Sequence, residues 1–263
     1  MCVLAHPDDE SLGTGGALAK CAAEGVATYL VTATRGERGR FLDGKESPGP
    51  QVVGQVREAE LLAAAKELGL RDVRFLDYPD GALDTVDTAE AIEKIAGHLR
   101  RVKPHVVVTF GPDGAYGHPD HIAISQLTTS AIVCAADPLF EPDRGIGEPH
   151  RVAKLYYIAW SQKRWTAYQA ALRKLVFKVD GEERQAVPWP DWAITTVIDT
   201  SNVWPSVWRA VSCHQTQMTI YAKLAELSDE HQRSLWGAQE FYRAFSSVNG
   251  GRTRESDLFE GLR

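Results

Sequence analysis

The sequence predicts an α/β protein: a Rossmann-like layered fold with a mostly parallel central sheet and a C-terminal α+β elaboration. Three observations carry that expectation. Strand and helix patterns alternate through the first half of the chain. The run HVVVTF (105–110) is apolar almost throughout, as suits a parallel strand buried on both faces. Each strand is followed by a polar loop, and open α/β sheets bind ligands beyond the carboxyl ends of their strands.

The elements follow in order. CVLA (2–5) reads as a first strand. Because only five residues precede His6, that strand is expected to be unusually short or the chain start to be trimmed. A helix from about Ser11 to Glu24 is closed by Gly25, and ATYLVTA (27–33) is a second strand rich in β-branched and aromatic residues. A glycine-rich loop over 34–50 leads to a helix over 55–68, with Gly69 at its C′ position. VRFL (73–76) is the third strand. Residues 88–102 form a helix with Ala91, Ile92, Ile95 and Leu99 on one face. HVVVTF is the fourth strand, and a helix runs from Pro119 to Ala135, its proline at the first helical position. Repeated βαβ units imply right-handed crossovers.

The second half is less regular. Residues 137–151 hold three prolines and read as a connecting loop. KLYYIAW (154–160) is a fifth strand, followed by a helix over about 163–173, a strand over 193–200, and helices near 204–214 and 228–238. Without an internal repeat or a low-complexity linker, residues 1–263 read as one domain. Residues 1–135 form the Rossmann-like half, and 136–263 an elaboration that shapes the substrate pocket.

Composition bounds the function. A chain of 263 residues with 44% hydrophobic and 24% charged content can bury a full core. The net charge of 29 − 35 = −6 opposes non-specific nucleic-acid binding, so no nucleic-acid partner is expected. No apolar run reaches the length of a membrane span and nothing reads as a signal peptide, which makes the cytoplasm the expected location. Cys2, Cys21, Cys134 and Cys213 lack CxxC spacing and read as free thiols. Composition leaves a homo-oligomer open.

The chemistry sits in two stretches. AHPDDE (5–10) closes the first strand with an imidazole and three carboxylates, a poor composition for a core. YGHPDH (116–121) follows the fourth strand and supplies His118 and His121. Two histidines and a carboxylate with an open fourth position form a common catalytic zinc set. Either motif alone is ordinary turn chemistry. Together, at the mouths of strands that can be neighbours, they point to a metal. His118 lies near the helix N-cap, on the same side of its turn as His121, where it could donate to a developing oxyanion. Asp8 neighbours a ligand position without being needed as one, so it can take a proton from water. Asp120 reads either as a partner that orients His118 or as an acid favoured by the helix dipole.

The paired motifs resemble the LmbE-like, or PIG-L, family of zinc-dependent N-deacetylases. The likeness covers roughly residues 2–135, with weaker echoes at SCHQTQ (212–217). It implies that His6, Asp9 and His121 bind Zn2+, that Asp8 is the general base, that His118 faces the oxyanion, and that Tyr116 polarises the amide carbonyl. It also implies substrate contacts by Arg57, in VREAE, and by Asp80, in YPDG, at sugar hydroxyls. Glu37 in TRGERG stands where the family carries Gly-Glu and could also bind hydroxyls. Arg57 as a surface charge and Asp80 as a turn former are the plainer readings. Arg35, Arg38 and Arg40 read as a basic rim or a solvated loop. Glu10 reads as a brace for the turn, GTGG (13–16) as room for close helix packing, and His214 as pocket wall. The tryptophans, all between 160 and 236, read mainly as core.

The resulting expectation is a metal-dependent hydrolase that removes acetyl from an N-acetylated amine, an N-acetylglucosaminyl small molecule first. An amidase of larger conjugates and a catalytically silent metal- or sugar-binding protein are the alternatives. Fe2+ is an alternative to zinc, because two histidines and one carboxylate also suit it. A nucleotide-dependent dehydrogenase is disfavoured, since no GxGxxG follows the first strand.

Overall fold

The computed structural model describes residues 1–41, 46–140, 145, 147–172, 177–179, 181–251 and 253–263. Parts of the expected loops 34–50 and 137–151, and the end of the expected helix at 173, lie outside the described residues. The elements are β1 (Cys2–Leu4), α1 (Asp9–Ala23), β2 (Tyr29–Thr32), α2 (Pro50–Glu67), β3 (Asp72–Phe75), α3 (Thr88–Val102), β4 (Val106–Phe110), α4 (Gly114–Gly117), α5 (Pro119–Ala136) and β5 (Lys154–Ile158). After these come α6 (Gln162–Leu172), β6 (Phe177–Val179), β7 (Glu182–Arg184), β8 (Thr196–Asp199), α7 (Trp204–Cys213), α8 (Met218–Ala225), α9 (Asp229–Trp236) and β9 (Ala238–Ser246).

Among the described residues, a seven-stranded sheet runs β3-β2-β1-β4-β5-β9-β8. The first five strands are parallel, while β9 runs antiparallel to both neighbours. The order reverses between β1 and β4, and at such a reversal crossovers diverge and leave a crevice beyond the strand ends. AHPDDE and YGHPDH open into that crevice. Right-handed crossovers put α1 and α2 in one helical layer, joined by α7, with α3 packed on α5 in the other.

β1 is only three residues long, yet all three are buried between β2 and β4. Backbone pairing outlasts it: Ala33 N donates to Leu4 O at 2.9 Å and Thr34 N to Ala5 O at 3.0 Å. The polar residues at the end of β1 therefore enter the crevice with a fixed register. In α3, Ala91, Ile95 and Leu99 are buried as the spacing predicts. The GTGG run lies inside α1, where a Cβ on Gly16 would come within 2.8 Å of the Thr200 side chain. Close packing there requires glycine.

The structure departs from the sequence reading mainly after 150. β9, the strand between β5 and β8, lies where no strand was expected. Its sequence AQEFYRAFS mixes helix formers with aromatics, and a bulge between Leu155 and Tyr156 interrupts its pairing with β5. The β6–β7 hairpin and α8 were likewise not expected. α2 begins at Pro50 rather than 55, because proline is well placed in a first helical turn. No described helix is long and apolar enough to cross a membrane.

Candidate metal centre

The turn after β1 is held by its own backbone and by distant side chains. Asp8 has φ 96°, a left-handed conformation that costs a non-glycine residue on the order of 1–3 kcal/mol unless its surroundings hold it. Asp8 C=O accepts from Ser11 N and Leu12 N, and Asp8 N donates to Glu10 Oε2 at 3.0 Å. Arg57, reaching over from α2, donates to Pro7 O at 2.6 Å and to Gly36 O at 2.8 Å. Its guanidinium fits only because Gly36 and Gly39 lack side chains; a Cβ would lie 2.0 and 2.4 Å from Arg57 Nη1. Asp9 starts α1 and folds back, so that Oδ2 accepts from Ala5 N at 3.2 Å and His6 N at 2.8 Å. These bonds leave Oδ1 directed at His121.

Across the crevice, the segment after β4 turns sharply through Ala115, at φ 64°, before α5 begins. His118 caps α5, its Nδ1 accepting from Asp120 N at 3.1 Å, so the neutral ring carries its proton on Nε2. His121 stacks on Phe110 with ring centroids 3.9 Å apart, and its Nδ1 lies 3.2 Å from Gly114 O. Nδ1 therefore carries the hydrogen, and Nε2 presents a lone pair.

These pieces converge on one point. His6 Nδ1 lies 3.2 Å from His121 Nε2, His6 Nδ1 lies 3.6 Å from Asp9 Oδ2, and His121 Nε2 lies 3.5 Å from Asp9 Oδ1. A tetrahedral zinc with ligands at about 2.0–2.1 Å has ligand-to-ligand edges of about 3.3 Å, so the triad has the right size for such an ion. Two imidazole nitrogens can face each other at this distance only with a proton or a metal cation between them. The donor set, one carboxylate and two imidazoles, fits zinc. All three residues are buried.

Electrostatics separate the two imidazoles. Burial works against a charged His6, but Asp120, Asp80 and Asp9 hold it well above the ordinary histidine value. Burial pushes His121 down to about 3, keeping its ring neutral. Burial lifts Asp8 to about 6, although Arg57 pulls against it. Burial and the nearby His6 lower His118, and burial raises the Tyr116 phenol well above its usual value.

The remaining residues named from the sequence are placed as follows. The Asp120 side chain does not turn to His118. It is fully buried, accepts from Gly81 N at 2.7 Å and Leu83 N at 3.0 Å, and sets Oδ2 3.1 Å from His6 Nε2. Asp80 also faces inward: Oδ1 lies 3.1 Å from His6 Nε2, and Oδ2 accepts from Arg38 N at 2.8 Å. The site expected at sugar hydroxyls is thus engaged by protein groups. Glu37 accepts from Asp80 N at 2.8 Å and steadies that loop. Arg57, expected at the substrate, is buried and braces the AHPDDE turn, with Nη2 3.4 Å from Asp8 Oδ2. The Tyr116 ring lies 5.8 Å from that of His118 and 5.3 Å from that of His121.

Two contacts come from residues to which sequence reasoning assigned no chemistry. Tyr221 donates its hydroxyl to Asp8 Oδ2 at 3.3 Å. His214 Nε2 lies 2.8 Å from Glu10 Oε1, with both side chains fully buried. The weak family echo at SCHQTQ was the only signal for this segment, and periodicity cannot report a contact across two hundred residues.

With the geometry in place, comparison with known proteins is direct. Residues 1–132 match the family model described as PIG-L, GlcNAc-PI de-N-acetylase. The 1D-myo-inositol 2-acetamido-2-deoxy-alpha-D-glucopyranoside deacetylase of Kineococcus radiotolerans is 35% identical, over 99% of this chain and 82% of its own. The protein of the same name from Streptomyces scabiei is 34% identical, over 100% of this chain and 89% of its own. Among solved structures, the conserved protein TT1542 of Thermus thermophilus superposes with a TM-score of 0.66 at 28% identity, covering 95% of each chain. The N,N'-diacetylchitobiose deacetylase of Pyrococcus horikoshii shares the fold at a TM-score of 0.67 and 18% identity, over 92% of this chain and 82% of its own. The motifs at the β1–β4 crevice and the likeness over the whole chain agree: this protein belongs to the PIG-L family of de-N-acetylases.

Proposed function

We propose that the protein is a metal-dependent N-deacetylase that releases acetate from an N-acetylglucosaminyl small molecule. A glucosaminyl-inositol is the first substrate to test, as the relatives' names indicate. The observation that carries this reading is the convergence of His6, Asp9 and His121, with Asp8 beside them left outside the ligand set. His6, Asp9 and His121 would hold Zn2+, or Fe2+ as the alternative. When bound, the ion would acidify water and polarise the acetyl carbonyl.

The chain's own residues do the rest. Asp8, near 6 and gripped by Tyr221, takes a proton from the attacking water. His118 Nε2–H and the Tyr116 hydroxyl supply donors to the carbonyl oxygen as it gains charge. The C–N bond breaks, and the amine takes the proton that the Asp8 carboxyl gained from the water, leaving free amine and acetate. Asp120 and Asp80 hold His6 Nε2–H, so that Nδ1 faces the metal position. Arg57 keeps the turn closed over this arrangement.

The test is amine release from N-acetylglucosaminyl-inositol and simpler N-acetylglucosaminides, by the zinc-loaded, chelated and Asp8→Ala proteins. Turnover that is lost on chelation, restored by zinc, and reduced at least about 100-fold by the substitution supports the reading. An unaffected Asp8→Ala protein removes the mechanism. Tight sugar binding without turnover in the zinc-loaded protein makes it a binding protein instead.

A further inference from the structure

The turn that carries Asp8 is gripped by a segment some two hundred residues away in sequence. Asp8 N–H is held by Glu10 Oε2, and the other oxygen of that carboxylate is fixed by His214 Nε2 at 2.8 Å. His214 and Glu10 are both fully buried. His214 is itself well anchored. It ends α7, which packs on α1 and α2, and its carbonyl accepts from Gln217 N at 2.9 Å. Two residues on, Thr216 gives both its N–H and its hydroxyl to the Glu60 carboxylate of α2, each at 2.7 Å. The same segment delivers the Tyr221 hydroxyl to Asp8 Oδ2. Glu10 Oε1 also accepts from Ser11 Oγ at 2.5 Å. Glu10 can therefore rotate away from the strained Asp8 backbone only by leaving both His214 and Ser11, and a buried carboxylate does not give up such partners cheaply.

We propose that His214 is a positioning residue for Asp8, holding the left-handed Asp8 backbone through the Glu10 carboxylate so that the Asp8 side chain stays aligned with the attacking water. This rests on the reading of Asp8 as the general base. His214 lies behind the turn and touches no group assigned to the substrate. Its loss would displace Asp8 without changing how substrate binds, and a displacement of about 1 Å at a reacting group can cost about 100-fold in rate.

The experiment is a double-mutant cycle on the zinc-loaded enzyme, with an N-acetylglucosaminide as substrate and zinc content measured for every protein. His214→Leu removes the donor to Glu10, whereas His214→Gln keeps an N–H for it. His214→Leu is expected to lower kcat about 10- to 100-fold with KM within about twofold and zinc at the wild-type level. His214→Gln is expected to stay within about threefold of wild type. In an Asp8→Asn background, adding His214→Leu is expected to lower the residual rate by less than about twofold. Equal losses in both backgrounds, or activity lost in step with zinc, overturn the proposal. Should His214→Leu not fold, Glu10→Gln takes its place in the cycle, with a loss of rate that disappears beside Asp8→Asn expected and an additive loss overturning it. An Asp8→Asn enzyme with wild-type kcat overturns the base assignment. A His214→Leu enzyme with wild-type kcat beside a crippled Asp8→Asn overturns this inference alone.

Discussion

Asp120 Oδ2 lies 3.1 Å from His6 Nε2, although the two residues belong to different motifs and different strand mouths. The contact links AHPDDE to YGHPDH through the far side of the His6 ring, away from Asp9 and His121. It fixes the orientation of His6, because an Nε2–H pointed at two carboxylates turns Nδ1 toward Asp9 and His121.

Asp120→Asn should therefore weaken metal binding more than chemistry. An amide can present its NH2 to His6 and no longer draws the Nε2 hydrogen with a full charge. The expected loss in zinc affinity is about 10- to 100-fold, read by competition with a chelator, with kcat at saturating zinc much less affected. In both proteins affinity should fall with falling pH, since protons compete for the same imidazoles and carboxylate. Unchanged affinity in the variant would show that Asp120 does not act through His6.

Much of this was legible beforehand. The unbroken apolar run of β4, the glycines after the first two helices and the polar loops marked out the parallel half, because those signals are local and periodic. The two polar motifs were legible for the same reason, being short stretches at strand ends. The set His6, Asp9 and His121 was implied by the family resemblance, and the structure brings those three side chains together. The second half was not. β9 is a strand made by its neighbours rather than by its own pattern, and a bulge breaks its alternation. The resemblance implied substrate contacts for Asp80 and Arg57. A sequence names a side chain but not its direction, and here Asp80 faces His6 while Arg57 faces the AHPDDE turn. Arg57 has room for that direction only because Gly36 and Gly39 lack side chains, which would crowd its guanidinium.

Gly36→Ala tests the Arg57 brace without touching a catalytic group. Gly36 has φ 64°, and a Cβ there would lie 2.0 Å from Arg57 Nη1. Arg57 must then release Gly36 O or Pro7 O, both buried acceptors. The expected result is a destabilisation of about 1–3 kcal/mol in urea unfolding, together with a fall in kcat. A variant with wild-type stability and rate would mean that Arg57 is not needed to hold the turn.

Tyr116→Phe separates transition-state stabilisation from metal binding. The ring is 5.3 Å from that of His121, so removing the hydroxyl leaves the packing around the ligand in place. A kcat lower by about 10- to 100-fold with unchanged zinc affinity is expected if the hydroxyl donates to the oxyanion. Weakened zinc binding with unchanged kcat would assign Tyr116 to the metal instead.

Acid stability is expected to depend on a pair far from the metal. Lys154 Nζ and Glu255 Oε1 lie 2.7 Å apart, both buried, where β5, β8 and β9 meet the C-terminal segment. Burial alone would raise Glu255, but hydrogen bonds from Lys154, Asn249, Thr196 and Tyr156 bring it down from 4.5 to about 2. A carboxylate depressed in the folded state adds stability that is fully present above its unfolded value and lost as pH falls through the folded one. The window here is from about 4.5 down to about 2. The contribution is on the order of 3 kcal/mol at neutral pH. Glu255→Gln removes it and strands the Lys154 cation, so the variant should be clearly less stable than wild type at pH 7. Metal loss in acid affects both proteins alike. The difference in urea-unfolding free energy should therefore shrink steadily below about pH 4.5, as wild type gives up the charge that the variant never had. A gap that stays constant down to about pH 3 would mean that the Glu255 charge is not what holds this corner.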